Sequence, residues 1–587
     1  MEYTHLSEFA LRPGTLTLWR PELAAGQQWA DDARPFTSVH VRHCLDTDAD
    51  DPRPGRGRWI GTIFEMDAPL DAEHWRETVR LWHARHEGLR TTLDRRAGAE
   101  PRRLVCAPEA VAVADEPVPG LDAPSAITEY LCDALESRLS ALVWPHCLLA
   151  TVRHDTDDFT VLIAADHSVM DAYSQAIVIL ELRTLYRSVV AGEPVRESVT
   201  FGSSADFAAL ERSTAAALTT ECDAVRLWHN FLDGSGGMLP RFEPAITAGS
   251  GTPSELPQTS VSRKLLSLGE LEHIETMVTA RGHRLSVAVF TALAIAYRRA
   301  FGYISMRAIM PIATRPDLKW LESMGWFVNV VPIDITLSPD LDLDNALEST
   351  RKTLRRSRVA NDATWTRALE LLGCDDRPRF GISFLDIRVL PDYELVESLR
   401  GHTLRAESYS GDEVFFWVVR AADGLRLSTR FPAAFPAPEM DRFLAEFTRA
   451  MREFGGVSMV DREASALAEA GDLVREVTDF PGTQAPPRES AHPEDSELVR
   501  AGAARNDTGP AAVAAAAAHE VAAAGIADRT AASAGGHEVD RRVPASRGGL
   551  GEPISSAVPQ PPAVVAAECA VVANDTAQQR VPVAVQG

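Results

Sequence analysis

The chain has 587 residues, enough for two or three domains, and its apolar fraction of 45% is ordinary for a globular protein. A formal net charge of −24 excludes broad electrostatic binding to nucleic acid or anionic lipid. The seven cysteines are dispersed with no Cys-x-x-Cys pair, so reduced, mostly buried thiols are expected rather than a disulfide framework or a zinc site.

In chain order, residues 1–35 read as an irregular lead-in. Trp59–Met66 is strand-like, and Asp71 caps a predicted helix that carries Trp75, Val79, Trp82 and His83. A second helix is predicted over Ser125–Leu142. The run Phe159–Ala165 reads as a buried strand, which stops abruptly at Asp166, His167 and Ser168. A helix follows at once, with Val178, Leu182, Leu185 and Val189 at helical spacing and Gly192 as its stop.

Breaker-rich connectors lie at Gly234–Gly237 and Thr247–Gln258. Beyond them Leu271, Ile274 and Val278 form one helix face ended by Gly282, and the nearly all-apolar helix Val287–Phe301 must be buried. Strands are predicted at Ile304–Pro311, running on to Arg315, and at Phe327–Ile335, Arg379–Arg388 and Leu425–Phe431. A helix from about Glu439 to Phe454 closes the ordered part. The second half repeats the α/β class of the first, which suits two subdomains, 1–194 and 195–475, with a cleft between them.

From Pro481 to Gly587 there is no Phe, Trp or Tyr. Such a segment buries too little apolar area to offset an ordering entropy of about 1–2 kcal/mol per residue, so 476–587 is read as a disordered Ala/Pro/Gly-rich tail. No uninterrupted apolar run approaches a membrane span, and Met1–His5 has neither a basic start nor an apolar core. A cytoplasmic protein is expected, with a peripheral place at the inner membrane compatible with it.

The chemistry centres on His167. A histidine at the end of a buried strand, with Asp171 four residues on, can sit at a cleft as a general base, because imidazole changes protonation near neutral pH. Alone, His-x-x-x-Asp is better explained by a capping or surface arrangement. Its context is more specific. His167, Asp171 and Tyr186 fall into His-x3-Asp-x14-Tyr, and Arg85-His86-Glu87-Gly88-Leu89-Arg90 lies upstream. Downstream come Met310-Pro311-Ile312-Ala313-Thr314-Arg315, then Gly325-Trp326-Phe327-Val328-Asn329, then Ser383-Phe384-Leu385-Asp386-Ile387-Arg388. In this order and spacing the segments resemble the condensation-domain and chloramphenicol-acetyltransferase-like acyltransferases. Within them the chain is most similar to the polyketide-associated (Pap-type) acyltransferases of actinobacteria. It departs from condensation domains in having Asp166 for the first of two histidines and Ala172 for a glycine.

The resemblance implies an α/β fold of two chloramphenicol-acetyltransferase-like subdomains. It also implies acyl transfer from acyl-CoA or a phosphopantetheinyl acyl carrier to a hydroxyl of a lipid, sugar or polyketide-type acceptor. No tightly bound cofactor or metal is expected. A monomer is expected that acts on small molecules, with an acyl carrier protein or polyketide synthase as the protein partner. His167 is the implied base, and Asp171 is implied to pair with Arg315 and hold the loop. Asn329 is a candidate donor to the oxyanion or substrate, or an amide bonded to neighbouring backbone. Tyr186 reads as helix core, and Asp166 as a loop residue or a partner of the site. The basic run Arg351–Arg358 is a candidate for a phosphate-bearing arm, or a solvated helix face. Two alternatives are a free-standing condensation enzyme that forms an amide and a non-catalytic docking domain of an assembly line.

Overall fold

The computed structural model describes residues 3–456 apart from 48–50, 96–99, 122, 157, 196–200, 245–255 and 391, together with 568–569. The expected tail, 476–587, lies outside the described residues but for that pair.

The first stretch begins with β1 (Tyr3–Thr4), β2 (Thr15–Leu23), β3 (Ala30–Asp32), α1 (Ser38–Leu45), β4 (Trp59–Met66) and α2 (Ala72–Arg85). It continues through β5 (Thr91–Asp94), β6 (Arg102–Val105), β7 (Val111–Val118), α3 (Pro124–Arg138), β8 (Cys147–Arg153), β9 (Phe159–Asp166) and α4 (Ala172–Ala191). Helices α5 (Ser204–Ala216) and α6 (Asp223–Asp233) lead to β10 (Gln258–Ser267), α7 (Leu268–Ala280), α8 (Leu285–Phe301), β11 (Ser305–Thr314) and β12 (Val328–Thr336). Next come α9 (Leu343–Ser357), α10 (Trp365–Leu371), β13 (Phe380–Asp386), α11 (Tyr393–Ser398) and β14 (His402–Arg405). The strands β15 (Val414–Ala421) and β16 (Gly424–Pro432) precede α12 (Ala437–Phe454).

Two large mixed sheets result, ordered β1-β14-β4-β9-β8-β2-β7 and β10-β16-β15-β13-β11-β12, beside a small β3-β6-β5 sheet. One face of the first sheet packs Phe64, Phe159, Val161 and Ile163 against Trp75, Val79 and Leu182 of α2 and α4. Its other face packs Ile63, Leu148 and Leu162 against Ile127, Leu131 and Leu135 of α3. The second sheet covers α8 and α12. Helix α8 is apolar almost all round because it lies inside that core, where thirteen consecutive residues from Leu285 to Tyr297 are buried. Among the described residues no helix is long and apolar enough to cross a membrane.

Two expectations need correction. Residues 1–35 are not an irregular lead-in: β2 is an interior strand between β8 and β7, with Leu16 and Leu18 facing the core. Arg20-Pro21 interrupts its alternation, which hid the strand in the sequence. Nor do the halves divide strictly by chain order. β14 leaves the second stretch and pairs antiparallel with β4, His402 opposite Ile63 and Arg405 opposite Ile60.

Candidate active site

β9 lies inside the first sheet and every one of its residues is buried, which makes its end a fixed platform. Asp166 is its last residue, opposite Trp59 of β4, and its carboxylate accepts the Ser168 backbone N–H at 2.9 Å. That cap turns the chain, and the His167 backbone N–H donates to the Arg58 carbonyl at 3.1 Å. His167 as a residue is partly exposed. Its Nδ1 is buried with no partner beyond its own backbone, which leaves Nε2 as the nitrogen to meet a substrate. Burial pushes the ring below the ordinary histidine value; nearby His43 adds to this, while Asp166 and Asp171 pull the other way. The ring is therefore neutral at pH 7, the form a base requires.

Asp171 caps α4 by accepting the Ser174 N–H at 2.7 Å, and Arg315 Nη2 lies 3.0 and 3.1 Å from its two oxygens. One guanidinium nitrogen spans both oxygens, rather than two nitrogens forming a fork. Nη1 is directed instead to the carbonyls of Trp320 and Ser323, at 2.5 and 2.7 Å. Both side chains are shut off from solvent, at 0% and 1% exposure, so each charge depends on the other. Asp171 also accepts the Phe327 N–H at 3.0 Å, and Ser174 Oγ donates to the Gly325 carbonyl at 3.2 Å. Thus Gly325–Phe327, from the second stretch, is latched onto the helix that follows His167.

Trp326 rides on that latch and packs over His167 with ring centres 4.6 Å apart. A small cavity of about 30 Å³ adjoins it, bounded by Trp326, Ser168, Val169 and the apolar side chains of Phe36, Leu93 and Phe207.

Asn329 is occupied by backbone. Its Nδ2 donates to the Ala363 carbonyl at 2.9 Å and its Oδ1 accepts the Trp365 N–H at 3.1 Å, so it braces the start of α10. Of the two roles open to it in the sequence, backbone support is the one present, and a single N–H remains for anything else. Tyr186 is core, edge-on to Trp75 and Phe159; its hydroxyl donates to the Pro69 carbonyl at 2.5 Å and accepts the Asp71 N–H at 2.8 Å. His86 serves the latch from below, with Nε2 2.8 Å from Glu181 of α4 and Nδ1 accepting the Met324 N–H at 3.4 Å. The basic run lies along α9, where Lys352, Arg355 and Arg356 face solvent and Arg351 pairs with Glu348 at 2.7 Å.

Sequence reading missed His43. It sits on the last turn of α1, 123 residues before Asp166 and with no motif around it, yet its Nε2 lies 2.9 Å from Asp166 Oδ1. Burial opposes ionisation of Asp166, but the attraction and hydrogen bond of His43, with the Ser168 bonds, hold the carboxyl well below its usual range. Asp166 is thus a partner of the site rather than a loop residue. Among the described residues no group of three His, Cys, Asp or Glu side chains is placed to hold a metal.

The trehalose-2-sulfate acyltransferase PapA2 of Mycobacterium tuberculosis is 25% identical over 294 residues, 49% of this chain and 62% of that protein. Acyltransferase PapA3 of the same organism is 24% identical over 293 residues, 49% of this chain and 61% of that protein. The chain therefore spans less than two thirds of these relatives. Among solved structures, a PapA2 acyl transferase superposes with a TM-score of 0.66 at 19% identity, over 78% of this chain and 99% of that one. The X-domain from teicoplanin biosynthesis gives 0.59 at 18%, over 74% and 97%. Both share the two-sheet fold. The family model described as condensation domain matches residues 59–366, more than half of the chain and the whole stretch from β4 to the start of α10. The chain belongs to the condensation-domain family.

Proposed function

We propose that the chain is an acyltransferase that moves an acyl group from a thioester to a hydroxyl of a sugar, lipid or polyketide-type acceptor, with His167 as general base. The observation that carries this reading is the neutral imidazole of His167 at the end of β9, packed under Trp326 on a loop locked by Asp171 and Arg315. The names of the mycobacterial relatives support a sugar or lipid acceptor. Nε2 accepts the acceptor's hydroxyl proton as its oxygen attacks the thioester carbonyl, giving a tetrahedral intermediate. Collapse breaks the C–S bond, and the imidazolium returns the proton to the departing thiolate. Acyl-CoA or a carrier-bound phosphopantetheine thioester is the co-substrate, consumed in each turnover. Asp171 and Arg315 act as positioning residues, since their atoms are turned away from solvent and into the latch.

The test is His167→Ala, with thiol release from acyl-CoA followed in the presence of candidate sugar and lipid acceptors. The variant is expected to fold normally and to lose turnover by about 10²–10⁴-fold, the contribution of a general base. Turnover near that of the unaltered protein removes the reading.

A further inference from the structure

Two imidazoles meet the indole of Trp326. His167 packs against it at 4.6 Å, and His43 meets it edge-on at 5.5 Å and an angle of 88°. The buried nitrogen of His167 has no carboxylate partner, whereas His43 has Asp166 at 2.9 Å. Asp166 cannot turn away to another partner, because the same oxygen accepts the Ser168 N–H and the residue is fully buried. His43 nevertheless keeps 15% of its side chain exposed. It rides on α1, which is held by Glu211 of α5 through the Ser38 N–H at 3.2 Å and by Asp375 through Arg42, also at 3.2 Å.

We propose that His43 is a positioning residue for the acyl transfer: held by Asp166, it braces Trp326 against His167 and offsets the pull of the Asp166 carboxylate on the His167 ring. The proposal rests on the reading of His167 as the base. The sign follows from Coulomb's law. With His43 removed, the carboxylate next to His167 is uncompensated and favours proton uptake by the base. With His43 in place, part of that help is offset. Charged or titratable groups of the same neighbourhood are His40 and Arg42 on α1, with His146 before β8 and Arg103 of β6 acting on His40, Arg58 before β4 and Arg95 after β5 acting on Cys44, and Asp171 acting on His167. Burial holds His40 and His146 below the ordinary histidine value, and arginines keep their charge throughout.

The experiment is a histidine NMR titration of the full chain, with the His167 signal assigned from His167→Ala, on the unaltered protein, His43→Gln and Asp166→Asn. Glutamine can still donate to Asp166 and pack against Trp326, but it carries no charge. Asparagine still accepts the Ser168 N–H. In His43→Gln the His167 midpoint is expected to rise, and in Asp166→Asn to fall, each by roughly 0.5–1 pH unit. For turnover of acyl-CoA, His43→Ala is expected to lower kcat about tenfold with KM unchanged, and His43→Gln to restore it at pH 8. A His167 midpoint that moves in neither variant overturns the proposal, and so does full kcat in His43→Ala. Shifted midpoints together with undiminished turnover in His167→Ala would instead remove the base assignment and leave the coupling of the two histidines standing.

Discussion

Replacing Asp171 by Asn leaves the Arg315 guanidinium buried at 0% exposure with no counter-charge, a loss on the order of 3–5 kcal/mol. Arg315→Met gives a loss of the same order from the other side, and it also strips the donor from the carbonyls of Trp320 and Ser323. If the two residues acted independently, the double variant would lose roughly 6–10 kcal/mol. It should lose less, by about 2–3 kcal/mol, because an amide facing a methionine leaves no unpaired charge. Urea unfolding followed by fluorescence reads this directly, since the chain has 11 tryptophans and two of them, Trp320 and Trp326, flank the latch. A kinetic signature should accompany the loss. Once the Phe327 N–H is released from Asp171, Trp326 no longer holds the His167 ring, so kcat should fall by more than KM rises. Losses that add to within about 0.5 kcal/mol would refute the view that this pair is one structural unit.

Tyr186→Phe should lower stability by about 1–3 kcal/mol, because the Asp71 N–H at the start of α2 loses its acceptor; an unchanged urea midpoint would contradict this. Glu211→Gln should stabilise the protein at pH 8 but not at pH 4.5. Burial raises the Glu211 carboxyl to about 7 from 4.5, so the folded state keeps a proton that the unfolded state releases, and stability falls as pH rises between those values. The gain should be on the order of 1–3 kcal/mol above pH 7, and an equal gain in Tm at both pH values would refute the assignment.

The position of His167 is legible in the sequence because a buried strand leaves an unbroken apolar run, and a polar residue at its end has only the sheet edge to occupy. Trp59–Met66, the Asp71 cap and the Gly192 stop are legible for the same local reasons; each is decided by residues within one or two turns. Arg315 came within reach only through the family pattern, since 144 residues separate it from Asp171. His43 had neither signal. Its helix has weak amphipathic character, its neighbours carry no motif, and its meaning arises only when α1 folds down onto Asp166. Asn329 shows the reverse case. Its residue type suits an oxyanion donor, but the two backbone groups that occupy it, at Ala363 and Trp365, lie 34 and 36 residues away.

The crossing of β14 into the first sheet has a consequence for synthesis. Until His402–Arg405 emerge, the edge of β4 is an open row of peptide groups, and the partner of Thr62 lies 340 residues further along the chain. Gln175 of α4 tightens the dependence, since its side-chain amide donates to the backbone of both strands, at Gly61 and at Leu404. A ribosome would therefore present a nearly finished first half with one sticky border for most of translation. Chains released early, or cut between the halves, should self-associate along that border rather than persist as a free-standing half-protein.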